Sequence, residues 1–132
     1  DYPIKVLAMM PEGLSLWYGS KEVIPNSILS LGELPKSIKS NVGVIFYSEQ
    51  ITTKSNVIET LFKLKKLGVD SKRILLITAI CTNKGLNKIA KSFPNQVIYT
   101  SCIDEEDDNT KSLIPGIGNP LLRLSTIFLD KN

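Results

Sequence analysis

Val42-Gly43-Val44-Ile45-Phe46-Tyr47 is apolar at every position, which is how a strand covered on both faces reads. Two further runs of this kind follow, Arg73 to Ile80 and Val97 to Ile103. Between the first two lies Asn56 to Leu67, where Val57, Ile58, Leu61, Leu64 and Leu67 recur at helical spacing. Ser55 stands where it can cap that helix, Gly68 where it can close it, and Lys63, Lys65 and Lys66 where the helix dipole favours them. Leu86 to Phe93 reads as a second, shorter helix ended by Pro94. Strand–helix–strand–helix–strand predicts a mostly parallel sheet with right-handed crossovers and flanking helices, an α/β fold.

Upstream, Ile4 to Met9 reads as another strand, running into Pro11-Glu12-Gly13. Leu14 to Ile24 is mixed: Trp17, Tyr18 and Gly19 open either a short helix or a bend, and Pro25 stops it. Ser27 to Leu34 is a short apolar segment and Lys36 to Asn41 a polar turn. Ser48 to Ser55 reads as a polar loop, and Asp104 to Asn109 as an acidic, solvated loop rather than a metal site. Beyond it, Ile114-Pro115-Gly116-Ile117-Gly118-Asn119 must turn tightly and expose backbone N–H and C=O groups. A strand end that delivers such a loop is where α/β sheets place ligands. Leu121 to Leu129 reads as a terminal strand or helix.

The 132 residues suit one domain with one core. Sixteen basic against thirteen acidic side chains, scattered along the chain, give no nucleic-acid footprint, and no apolar run is long enough for membrane insertion. Cys81 and Cys102 end apolar runs and read as reduced, buried thiols. With no histidine, the commonest metal ligand and general base is missing, and no metal site is assigned. The thiols and the lack of a visible cleavable signal point to cytoplasm or an organelle stroma; the many Lys, Asn, Ile and Ser residues suit an AT-rich genome such as a plastid's. The start at Asp1 rather than Met points to further sequence upstream.

Gly85-Leu86, Phe93-Pro94-Asn95, Val97 to Asp104 and Ile114-Pro115-Gly116-Ile117-Gly118, with Gly13-Leu14-Ser15-Leu16 and Val23-Ile24-Pro25, together resemble the uracil phosphoribosyltransferases in order and spacing. The resemblance extends over nearly the whole chain, while that family's N-terminal region has no counterpart in it. It implies the type I phosphoribosyltransferase fold, with a loop after a strand cradling the phosphates of phosphoribosyl pyrophosphate. Backbone N–H groups at a helix N-terminus make such an anion site.

Carried over residue by residue, the resemblance assigns the phosphate loop to Ser48, Glu49, Thr52, Thr53, Lys54, Ser55 and Asn56, and the uracil loop to Tyr99, Leu113, Ile114, Gly116, Gly118, Asn119 and Pro120. Ser48 stands in place of the family's acid, Lys54 and Ser55 in place of two glycines, Asn119 in place of an aspartate, and Pro11 in place of an arginine. Each change removes a phosphate, ribose or metal contact. No catalytic residue is therefore assigned. The resulting expectation is a catalytically degenerate domain kept as a binding or assembly subunit among other protein subunits, with no bound cofactor. The alternatives are an active enzyme converting uracil to UMP with Mg²⁺, and a sensor of uracil or a uridine nucleotide. Trp17, Tyr18 and Phe128 read as core residues or interface anchors.

Overall fold

The computed structural model of the chain describes residues 3–9 and 13–118. In chain order these are β1 (Ile4–Ala8), α1 (Leu14–Ser20), β2 (Ile28–Leu31), β3 (Gly43–Ile51), α2 (Val57–Lys66), β4 (Ile74–Thr82), α3 (Asn83–Ser92), β5 (Val97–Glu106) and β6 (Leu113–Ile114). They form one sheet in the order β2-β1-β3-β4-β5-β6. The pairs β1–β2, β1–β3, β3–β4 and β4–β5 are all parallel, as the apolar runs require, and only β6 joins antiparallel.

Alternation along the strands sorts the side chains. Leu7, Val44, Phe46, Ile74 and Leu76 point to one face, where Val57, Leu61 and Leu64 of α2 and Ile89 of α3 bury against them. Val6, Ala8 and Tyr47 alternate with these and bury on the opposite face. There α1 approaches so closely that a Cβ on Gly13 would lie 2.7 Å from the Tyr47 carbonyl oxygen. The Gly13-Leu14 step is thus set by helix–sheet packing.

The helix α2 closes as expected. Gly68 has φ +78, its N–H reaches the Lys65 carbonyl at 3.0 Å, and the Val69 N–H reaches that of Leu64 at 3.1 Å. This is the Schellman arrangement, with Val69 buried next to the helix it ends. Its start differs from the expectation. Asn56, not Ser55, is the N-cap residue, and no side chain caps the helix. The Ser55 hydroxyl instead accepts the Thr52 N–H at 2.8 Å, because the preceding loop curls back on itself.

Two expectations about the strand ends are corrected at one feature. The register passes from Ser48–Thr78–Thr100 directly to Gln50–Ile80–Cys102, leaving Glu49, Ala79 and Ser101 out of the ladders. At this step the hydroxyls of Ser48, Thr78 and Thr100 donate to the carbonyls of Gln50, Ile80 and Cys102, at 3.2, 2.9 and 2.9 Å. These hydroxyls supply partners where the ladder is interrupted. Beyond the step the alternation shifts by one, so Ile51 and Cys81 turn into the core that even-numbered residues line below it.

Consequently Ser48 to Ile51 continue β3 rather than open a loop, and Ser48 and Glu49 are buried. Asp104 to Glu106 continue β5 rather than open an acidic loop, and Glu106 is buried. Cys81 is buried as expected, but Cys102 is exposed because β5 lies outside β4 and has little cover; both are free thiols. Leu14–Ser20 takes the helical alternative, with Trp17 half-buried and Tyr18 exposed beneath the Lys21 ammonium, 4.5 Å from the ring centre. The apolar segment at Ser27 supplies the outer strand β2. Pro11, Asn119, Pro120 and the segment from Leu121 to Leu129 with Phe128 lie outside the described residues.

Candidate functional site

The C-terminal ends of β3, β4 and β5 meet at a buried carboxylate. Thr82, fully buried at the end of β4, caps α3 by accepting the Gly85 N–H at 2.9 Å, and donates its hydroxyl proton to Glu106 Oε2 at 2.7 Å. The loop from β3 to α2 brings Thr53 to the same carboxylate. The Thr53 N–H donates to Oε2 at 2.9 Å and the Thr53 hydroxyl to Oε1. Close approach of α3 to that loop is built in at Gly85, where a Cβ would lie 2.9 Å from the Ile51 carbonyl oxygen. The Gly85-Leu86 step is therefore a packing requirement of this junction.

Burial pushes the Glu106 carboxyl up, but the Thr53 hydroxyl and amide, the Thr82 hydroxyl and the charge of Lys111 together hold it below the ordinary glutamate value. The residue is an anion bound by the protein that carries it.

Three further amides of the same loop are also taken. Thr52 N–H goes to Ser55 Oγ at 2.8 Å, Lys54 N–H to Thr52 Oγ1 at 3.2 Å, and Ser55 N–H to the Thr52 carbonyl at 3.1 Å. Lys54 reaches out to the Thr110 carbonyl at 2.9 Å, and Lys88 of α3 reaches the Thr53 carbonyl at 2.6 Å. Lys84 pairs with Asp108, which Lys111 also approaches at 3.8 Å. The loop is thus tied to α3 and to the turn after β5. Asn56, at the α2 N-cap, is exposed.

Glu49, one position from the absent acid of the resemblance, is turned elsewhere: its carboxylate accepts from the Ser15 hydroxyl of α1. Ser48 spends its hydroxyl on the Gln50 carbonyl.

The Gly/Pro loop after β6 is held at two points. Gly116 donates its N–H to Asp104 Oδ2 at 2.8 Å, and the Gly118 carbonyl accepts from Gln50 Nε2 at 3.1 Å. The Ile114–Pro115 bond is cis; Gly116 and Gly118 have φ +61 and +73. A Cβ on Gly116 would also lie 2.6 Å from the Leu113 carbonyl oxygen, so this position admits only glycine without rearrangement. Leu113 and Ile114 form β6 against Glu106 and Glu105. Tyr99 is not part of this grouping: it sits lower on β5, opposite Ile77, and is 61% exposed.

The structure therefore brings Thr52 to Ser55, Leu113, Ile114, Gly116 and Gly118 to one end of the sheet, and leaves Tyr99 apart. Two residues that organise this end, Glu106 and Thr82, were not singled out from the sequence. The Glu105-Glu106 pair read as solvated because the strand seemed to stop before it. A Thr three positions before a helical Gly was the available sign for Thr82. Among the described residues no group of three or more His, Cys, Asp or Glu side chains could hold a metal ion.

The uracil phosphoribosyltransferase family model matches residues 5–120. Uracil phosphoribosyltransferases from Nostoc and from Fervidobacterium nodosum are 23% and 28% identical, over 89% and 90% of this chain and 62% and 64% of their own length. The chloroplastic uracil phosphoribosyltransferase of Arabidopsis thaliana is 27% identical over 89% of this chain and 45% of its own. In fold, the AQ2163 protein of Aquifex aeolicus superposes with a TM-score of 0.73 at 20% identity, covering 88% of this chain and 62% of that one. The chain spans about six tenths of the length of the bacterial relatives it matches. The match from residue 5 to residue 120 takes in every element described above but for Ile4 at the start of β1, and the chain belongs to the uracil phosphoribosyltransferase family.

Proposed function

We propose that this chain is a uracil phosphoribosyltransferase-like domain that has lost turnover and serves as a binding or assembly subunit among other proteins. One observation carries the reading: the Glu106 carboxylate holds the Thr53 amide and hydroxyl, in the loop that the family resemblance assigns to the pyrophosphate. Phosphoribosyl transfer relies on positioning and on stabilising the departing pyrophosphate, so the donors must be available to that anion. A carboxylate fixed among them takes the donors and repels the charge. At about 4 Å and an effective dielectric of about 20, one such like-charge contact costs about 4 kcal/mol. Lys54 and Ser55, in place of glycines, add side chains where a phosphate must come close, and Lys54 is drawn away to Thr110.

The active alternative rests on membership of the family and on the Gly/Pro loop held by Asp104 and Gln50. In that reading Mg²⁺ enters with the pyrophosphate substrate. Calorimetric titration with uracil, and with phosphoribosyl pyrophosphate plus Mg²⁺, followed by a turnover assay, separates the readings. The expected result is no pyrophosphate binding and no UMP. Binding of both with turnover near about 1 per second or more establishes the enzyme; uracil binding alone makes the domain a sensor. The native mass of the protein in its cell of origin tests the subunit role, which a free single chain contradicts. Among the described residues no helix is long and apolar enough to cross a membrane.

A further inference from the structure

Taking the domain as the assembly subunit proposed above, we infer that Phe62 of α2, ringed by Lys65, Lys66 and Lys91, is the contact surface for a partner protein that presents one apolar side chain flanked by carboxylates. Phe62 stands off the buried stripe of α2 formed by Val57, Leu61 and Leu64, and is 44% exposed. Among the described residues it is the one exposed large apolar side chain on α2 and α3. One side of its ring packs against Phe93, the buried residue that ends α3, with centroids 4.8 Å apart and planes at 59°. The contact joins α2 to the end of α3 and holds the Phe62 ring in place. An aromatic ring fixed before binding gives contact area at little cost in side-chain entropy, and such rings are the usual anchors of protein interfaces.

Charge defines the partner. The helices α2 and α3 carry six lysines against one acid, Glu59, whereas the whole chain has a net charge of +3. Lysines scattered in the sequence are thus gathered on one layer of the fold. Lys65 and Lys66 follow Phe62 by three and four positions, on the same side of the helix, and Lys91 precedes Phe93 by two. All three are exposed and make no ion pair among the described residues. Lys63, by contrast, pairs with Glu59, Lys84 with Asp108, and Lys88 reaches the Thr53 carbonyl. The uncommitted ammonium groups therefore surround a ring instead of running along α3 as a track for a nucleic-acid backbone. A single exposed apolar residue is too little for insertion into a lipid surface, where binding grows with buried apolar area. Carboxylates on either side of one apolar side chain match the arrangement, and such a charged rim sets the salt dependence and rate of association.

The test uses the tagged full chain and two variants, Phe62→Ser and Lys65→Glu/Lys66→Glu/Lys91→Glu, each expressed in the cell of origin and checked for folding by circular dichroism. Native mass is read first. The complex is then treated with a carbodiimide, which joins a lysine amine to a touching carboxylate as an amide, and the joined peptides are sequenced. The expected result is a complex in which Lys65, Lys66 or Lys91 is joined to Asp or Glu of another protein, within about four residues of an apolar side chain. Each variant is expected to recover at least about tenfold less of that partner, as when a central interface contact is lost. A complex that either variant leaves intact, or whose joined lysines lie elsewhere, overturns this surface and leaves the assembly subunit standing. A free single chain overturns the assembly subunit itself, and this surface with it. Dissolution of the complex by ribonuclease or by detergent, which marks RNA or membrane as the partner, overturns the assignment to a protein.

Discussion

Glu106, near the end of β5, and Thr53, in the loop between β3 and α2, are 53 positions apart in the chain, yet the Glu106 carboxylate accepts both the amide and the hydroxyl of Thr53. This pair joins the two parts of the chain that the family resemblance assigns to different substrates. It also makes the loop's geometry depend on a charge, which has measurable consequences.

Stability in acid should report that charge. The Glu106 carboxyl is lowered in the folded protein from its ordinary value of 4.5, so its contribution is fully present above that value. It is lost as pH falls through the lower folded-state value. Replacing Glu106 with Gln should flatten the decline in melting temperature below pH 4.5. At neutral pH the same change should cost about 1–3 kcal/mol, as for a buried carboxylate losing charge-assisted hydrogen bonds. Chemical denaturation of the two proteins from pH 7 to pH 3 measures both.

The two glycines at this end of the sheet should differ in what they control. Gly116→Ala puts a Cβ 2.6 Å from a backbone oxygen at φ +61, so it should shift the Gly/Pro loop and weaken its hold on Asp104. The cost is about 1–3 kcal/mol for strain at one residue. Gly85→Ala meets the Ile51 carbonyl at 2.9 Å with ordinary helical backbone, so its effect should fall on the contact between α3 and the Thr53 loop. Amide hydrogen exchange distinguishes them: faster exchange at Gly116 in the first variant, and at Thr53 in the second.

The cysteines should react at very different rates. Cys102 is exposed, whereas Cys81 is buried, and burial pushes its thiol above the ordinary value despite an opposing hydrogen bond from Thr100. A thiol reagent near pH 8 should label Cys102 in the native protein and leave Cys81 unreacted until denaturant is added. Equal labelling of both in the native state would contradict the placement of β4 in the core.

The fold was legible because its signals are local and repeated. Val44, Phe46, Leu76 and the helical stripe of α2 state their environment in their own period, and the parallel order follows from the helices between strands. The ends of the strands were not legible. Whether Glu106 faces water or the interior depends on a skipped rung shared by three strands, and Ser48, Thr78 and Thr100 meet only after the sheet has assembled. Cys102 read as a buried thiol because the sequence does not show that β5 lies outside β4 with little cover. Phosphate-loop positions could be aligned by resemblance; that an internal carboxylate takes their donors could only be seen in three dimensions.

The most direct test of the account is calorimetric titration of the chain and of Glu106→Ala with phosphoribosyl pyrophosphate and Mg²⁺, both proteins checked for native structure. If Glu106 occupies the loop, the unaltered chain shows no binding at millimolar ligand, while the variant gains at least about tenfold in affinity, the effect of relieving one like-charge contact of about 1.4 kcal/mol or more. Tight binding by the unaltered chain, undiminished or weakened in Glu106→Ala, would contradict it.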